Sequence, residues 1–235
     1  MGLQEKQIRS MLLEIGMSKP FLTIRIPQRE ETLDHIKEAL AEHINTITEK
    51  IDDAYTPAIK DAVASQIIQQ PEMQDLLTGP LDGVFGIPAG TASARVAAIT
   101  ESVAESVFVK WFPVPKDFRK GGLVVRVQPS SFANLLALEA GKVNAVHKTD
   151  GAYTMHWLEW LLERGDEPIV QGYDYKPESG KGRSRKGVMK EDSAAVWRVP
   201  PEYSGTEDDN FVTRALQSDI MINELKEILK LVLLG

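Results

Sequence analysis

The sequence contains no cysteine, which removes disulfides, thiolate metal sites and a thiol nucleophile from the possible mechanisms. It has no run approaching the roughly 20 uninterrupted apolar residues that a membrane-spanning helix needs. Glu14, Lys226, Glu227 and Lys230 cut its most apolar ends. Glu5, Lys6, Arg9 and Glu14 likewise break up Met1 to Met17, so a secretory signal is not expected there. The expectation is a soluble protein with no membrane contact.

Histidine is scarce. His35 and His43 lie eight residues apart on one predicted helix, and His147 and His156 fall in different elements, whereas zinc needs three or four converging ligands. Solvent-facing or hydrogen-bonded histidines are the expectation. No glycine-flanked elbow surrounds Ser130, Ser131 or Ser179, so serine catalysis lacks its usual turn. Gly180-Lys181-Gly182 has neither the upstream spacing of a phosphate-binding loop nor a helix after it. No catalytic residue, metal or cofactor is expected, and the chain reads as a non-enzyme. The net charge of −7 also argues against a surface devoted to DNA, which must neutralise several phosphates.

What is present is enough to fold. At 235 residues and 43% hydrophobic, the chain can bury a sizeable core. Leu33, Ile36, Leu40, Ile44, Ile47 and Ile51 recur every three or four positions, which predicts an amphipathic helix over Thr32 to Ala54. Pro57 should break or kink it. Pro71 suits the first turn of a short helix, after which Leu81, Val84, Phe85 and Ile87 anchor a Gly/Pro-rich loop.

The alanine-rich run from Thr91 to Ser102 favours helix. The period changes near Ser106, and Val107 to Val114 with Leu123 to Val127 predict an antiparallel hairpin. Short helices follow over Ser131 to Ala140 and Met155 to Arg164, closed by Gly141 and Gly165. Trp157, Trp160, Trp197 and Tyr173 fit buried faces better than a stacking pocket. A strand from Ile169 to Tyr175 should pair with one near Gly187 to Met189 or Ala194 to Val199. Thr206, followed by Glu207, Asp208 and Asp209, looks like the cap of a long C-terminal helix. That helix ends in a Leu231 to Leu234 run too apolar to be left in water.

The fold class expected is therefore α+β: a helical N-terminal region, a central mostly antiparallel β-sheet and a long C-terminal helix. Residues 1–29 read as an N-terminal arm. Residues 30–235 read as a single α+β domain, helical over 30–105, sheet-rich over 106–205 and closed by the helix 206–234.

Charge is segregated along the second half. Lys176, Lys181, Arg183, Arg185, Lys186 and Lys190 face only Asp174 and Glu178 within residues 171–190. Their loop, short of apolar residues, should be an exposed and mobile hairpin tip. The next twenty residues carry Glu191, Asp192, Glu202, Glu207, Asp208 and Asp209 against Arg198 alone. In a ring, the basic loop of one subunit could face the acidic edge of the next, formed by Glu202, Glu207, Asp208 and Asp209. A solvated hairpin without a partner, or DNA in a channel, remain open readings of the same loop. Helix capping explains the acidic cluster more simply than a metal does. In the arm, Ile24 and Ile26 could add a strand to an adjacent subunit's sheet.

Three segments carry a family resemblance: Trp157-Leu-Glu-Trp-Leu-Leu-Glu-Arg-Gly165, Ser184-Arg-Lys-Gly-Val-Met189 and the stretch from Trp197 to Leu216. Together with Pro71 to Leu77 and Gly83 to Pro88, they resemble structural proteins of tailed bacteriophages, especially marine and cyanobacterial ones. The resemblance covers Thr32 to the C-terminus, is most specific over Trp197 to Leu216, and departs at Lys186, where the group carries serine. It implies a virion structural protein of the neck, tail-completion or head–tail connector kind, assembled in the host cytoplasm. Such a subunit would form a homo-oligomeric ring and contact other neck or tail proteins, with genomic DNA passing through. It implies no catalytic residues. A baseplate or other tail-associated protein, a DNA-contacting assembly module, and an assembly or maturation enzyme are the competing readings.

Overall fold

The structure is a computed structural model that describes residues 12–14, 30–48, 51–127, 131–147 and 151–234. Its first elements are β1 (Leu12–Glu14), α1 (Glu30–Thr48), α2 (Ile51–Ile68), α3 (Pro71–Thr78), α4 (Leu81–Val84), α5 (Ala92–Glu105), β2 (Val107–Phe112) and β3 (Gly122–Val127). There follow α6 (Ala133–Ala137), a 3-10 turn (Glu139–Gly141), β4 (Val143–His147), β5 (Gly151–Met155), α7 (Leu158–Leu162), β6 (Val170–Pro177), β7 (Gly187–Trp197), α8 (Phe211–Gln217) and α9 (Asp219–Leu234). The class is α+β with a long C-terminal helix, as the periodicities lead one to expect. The strands, however, form three small antiparallel sheets among the described residues, ordered β1-β3-β2, β4-β5 and β6-β7. Contacts within the chain group it into two units: 1–62, 106–130 and 219–235 form the first, and 63–105 with 131–218 the second.

In the first unit, α1 lays its stripe of Leu33, Ile36, Leu40, Ile44 and Ile47 half-buried, with Ala41 fully so, and α9 packs along it. The Thr48 hydroxyl turns back to donate to Ile44 O at 2.7 Å and Asn45 O at 3.2 Å, the back-bond a threonine makes along a helix. Pro57 sits inside α2 rather than ending a helix. Its ring is exposed, so the missing N–H removes one bond from a helix whose later turns are held by buried Ile59, Val63 and Ile67.

The β2-β3 hairpin forms as expected, with Phe108 opposite Arg126 and Trp111 opposite Leu123. Alternation sends Val107, Val109, Leu123 and Val125 inward and leaves Phe108, Lys110 and Phe112 on the other face. Ile24 and Ile26 lie outside the described residues.

The second unit is organised around aromatic and aliphatic burial. Trp157 is fully enclosed and its ring meets Phe85 at 5.1 Å between centroids. The loop anchors Leu81, Phe85 and Ile87 are buried, and the first of them starts the short helix α4. Trp160 and Trp197 are also buried, and the Trp160 indole N–H donates to Glu167 O at 3.1 Å, so these rings are core. The helix expected over Met155 to Arg164 is shorter, because Met155 is the last residue of β5 and the chain leaves the helix through Gly165 at φ +59°. Periodicity missed the β4-β5 hairpin, whose strands bury Val143 and Met155 at its base and leave Asn144, Val146 and 151–154 exposed. The two windows proposed as partners of β6 fall on one strand, β7, which ends at Trp197 and leaves Arg198 and Val199 beyond it.

The C-terminal region corrects the expected cap. Thr206 does not start a helix: its N–H donates to Asp209 O and its hydroxyl accepts from Asp209 N, at 2.8 and 3.1 Å, closing a turn. The cap is buried Asn210, whose side-chain oxygen accepts from Val212 N and Thr213 N, both at 3.0 Å. Thr213 Oγ1 accepts from Asn210 N at 2.8 Å and completes a capping box. The helix is then interrupted at Ser218, which is extended, and α9 begins at Asp219.

Candidate functional site: a pinned basic hairpin and an acidic turn

The segment joining β6 to β7 is tethered rather than free. Lys186 is the hinge of the tether: its ammonium donates to Gly79 O at 2.6 Å and lies 2.9 Å from Oδ1 of buried Asp82. Ala89 N donates to Arg183 O at 3.0 Å, and Ser184 is buried. Within the tip, Glu178 N donates to Lys186 O and Gly180 N to Arg185 O, at 3.0 and 2.7 Å. The Tyr175 phenol wedges between two glycines; a Cβ would stand 2.3 Å from its oxygen at Gly83 and 2.4 Å at Gly187. Burial, then the neighbouring Asp82, push that phenol's pKa up, so it stays protonated. The expected mobile tip is therefore held against the 79–89 loop, because a buried carboxylate there requires a cation.

The tether and its neighbours divide the six cations into two sets. Lys176 pairs with Asp174, Lys190 with Glu178 and Lys186 with Asp82. Hydrogen bonding to Asp174 raises the Lys176 pKa, and hydrogen bonding from Lys190 lowers that of Glu178. Lys181, Arg183 and Arg185 are exposed and form no ion pair among the described residues. Arg185 adopts φ +60°, a left-handed backbone that costs a residue with a Cβ about 1–2 kcal/mol. Arg183 stands near a further cation, Arg95, whose pKa is lowered by burial and then by Arg183. Arg95 is held by the carbonyls of Ala140 and Lys142, both at 2.7 Å.

The acidic turn is fixed by different elements. Gly205 N donates to Trp160 O at 2.9 Å, and Gly205 O accepts from Gly165 N at 2.7 Å, while Thr206 bridges to Arg164. These bonds tie the turn to the end of α7. Of its carboxylates, Asp209 accepts from Arg214 at 2.6 Å, and Arg214 also engages Glu72. Glu72 is wholly buried; that burial raises its pKa against the opposing pull of Arg214. Glu202, Glu207 and Asp208 are exposed and join no ion pair among the described residues. Glu163, half-buried beside them, is pushed up by burial and then by Glu207 and Glu159.

Sequence pattern found the charged segments but not Asp82, Glu72, Tyr175 or Glu163, because a carboxylate that will be buried reads like any other in a polar stretch. Of the described histidines, His35 and His43 are exposed and His156 Nδ1 lies 3.6 Å from Glu159. No group of three or more His, Asp or Glu able to hold a metal occurs among the described residues. The first unit carries an open groove of roughly 780 Å³ lined by Glu38, Glu42, Asn45, Trp111, Pro113 and Lys116. Asn45 shapes its floor, its oxygen accepting from Val114 N at 2.7 Å and its amide donating to Val114 O at 3.0 Å. What the second-unit arrangement offers chemically is recognition: Lys181, Arg183 and Arg185 on one side and Glu202, Glu207 and Asp208 on the other join no ion pair among the described residues. No family model, curated protein or solved structure matches the chain.

Proposed function

We propose that this chain is a structural subunit of a tailed-phage particle, forming a homo-oligomeric ring at the head–tail junction as a neck, tail-completion or terminator component. The observation that carries this reading is the state of β2. It is an edge strand of its sheet and it exposes Phe108 and Phe112 on one face, at 49% and 41%. A strand that no other described strand pairs on its outer side, with two exposed aromatic side chains, invites another chain. Lys110, whose ammonium lies 5.2 Å from the Phe112 ring, is the one charge between them on that face. The half-buried stripe of α1 and the 70% exposure of Leu231 on α9 support the same reading, since each leaves apolar area for a neighbour to cover.

The test is sedimentation of the purified chain over a concentration series, beside the double substitution Phe108→Ser, Phe112→Ser. The wild type is expected to form a closed oligomer of fixed copy number and the double variant to remain monomeric with an unchanged circular dichroism spectrum. A wild type that stays monomeric at high concentration would sink the proposal. Mass spectrometry and electron microscopy of purified particles would then place the subunit at the neck or, on the competing reading, at the baseplate.

A further inference from the structure

The basic tip and the acidic turn both belong to the second unit, and Lys181, Arg183, Arg185, Glu207 and Asp208 form no ion pair among the described residues. The tip is held by Gly79, Asp82 and Ala89, the turn by Trp160 and Gly165. No ion pair joins them. Neither cluster would carry an argument alone, since solvated charge runs are common. Their complementarity within one chain is what points to a partner.

We infer that the partner of Lys181, Arg183 and Arg185 is the Glu163, Glu207 and Asp208 edge of a second copy of this chain. This inference rests on the self-assembly proposed above and names the contact through which it runs.

Three features favour this occupant. The cations nearest the hairpin stem are already neutralised by Asp174, Glu178 and Asp82, so the hairpin presents three cations at its tip, a small cluster that matches a small acidic edge. The tip is pre-ordered by its tether, so docking loses little conformational freedom there. The crowding of Glu163 by Glu207 and Glu159 would be relieved by incoming cations. A contact between two different patches of identical chains is heterologous, and it closes into a ring when the rotation between copies permits.

A charge-swap experiment on the full chain tests it. One variant carries Lys181→Glu, Arg183→Glu and Arg185→Glu; the other carries Glu207→Lys and Asp208→Lys, all at exposed positions. Each alone is expected to weaken self-association about tenfold or more. Equimolar mixing should restore it, because acidic tips then meet basic edges and basic tips meet acidic edges. Wild-type association should also weaken as salt rises from about 0.05 to about 0.5 M. Wild-type oligomers that neither variant disturbs would overturn the inference and leave the ring proposal standing. A wild type that never associates overturns both. If the tip variant loses affinity for duplex DNA while its oligomers persist, the tip serves nucleic acid and the inference is again overturned.

Discussion

Glu72 and Arg214, 142 positions apart in the chain, meet in the second unit, where a guanidinium still partly open to water serves a carboxylate that has no contact with it. Oε2 of Glu72 has no hydrogen-bond partner among the described residues, so a backbone hydrogen bond and Arg214 together offset its burial. Arg214→Met would leave that carboxylate without its cation and is expected to cost roughly 2–4 kcal/mol, short of the full penalty for a pair buried on both sides. Glu72→Gln, which removes the charge together with its need, should cost less. Urea denaturation of the three proteins at neutral pH orders them, and equal losses in the two variants would contradict the account.

The same residue sets a pH dependence whose sign follows from its raised pKa. The folded carboxyl binds its proton more tightly than the unfolded one, whose value is the ordinary 4.5. The stability it contributes is therefore complete below that value and lost as pH rises through the higher folded one. Relative to Glu72→Gln, the wild type should gain stability as pH falls from neutral into that window. Parallel denaturation series across the range check this, and a difference that stays flat or grows the other way would exclude it.

The tether at the hairpin makes a second coupled pair, Lys186 with Asp82. Lys186→Met leaves Asp82 buried beside the Tyr175 phenol and should destabilise the chain by roughly 1–3 kcal/mol. It should also speed amide exchange across residues 178–186. Adding Asp82→Asn should recover part of the loss, since the orphaned charge goes with its partner. A double variant as unstable as the sum of the singles would mean the two residues act independently.

Asn210 and Thr206 show how the sequence can be legible and still misread. Both precede a helical pattern, and the acidic run after Thr206 drew the cap four positions too early. The deciding signal was Thr213, three residues beyond Asn210, which closes a capping box. Asn210→Ala should cost about 2 kcal/mol, because its amide also donates to Thr206 O at 2.7 Å from a buried position. Thr206→Ala should cost well under half as much. Thermal melts of the two variants separate the assignments, and the reverse ranking would restore Thr206.

Elsewhere, legibility followed locality. The stripe of α1, Pro71 at the first turn of α3 and the alternation of β2 and β3 are short-range patterns, and each produced its element. The β4-β5 hairpin escaped because all of 151–154 is exposed, leaving no alternation to read along β5. At the candidate site, the signs of the charges could be read from the chain. Which of them survive unpaired could not, since Lys186 finds Asp82 and Arg214 finds Glu72 only after distant segments fold together.

Gly205 offers a sharp test of the acidic turn's anchorage. It sits between the Trp160 carbonyl and the Gly165 N–H, and a Cβ there would lie 1.9 Å from Leu161 O and 2.4 Å from its carbonyl carbon. Both atoms are backbone, so neither can swing aside as a flexible side chain would. Gly205→Ala should therefore displace the turn from α7 at roughly 3 kcal/mol or more. Gly90→Ala is the control: it has open space around it but φ +81°, so its cost is conformational alone, about 1–2 kcal/mol. If chemical denaturation finds the two substitutions equally damaging, close packing against Leu161 is not what holds the turn. If Gly205→Ala is the worse and also weakens self-association, the anchorage and the acidic edge it presents are linked.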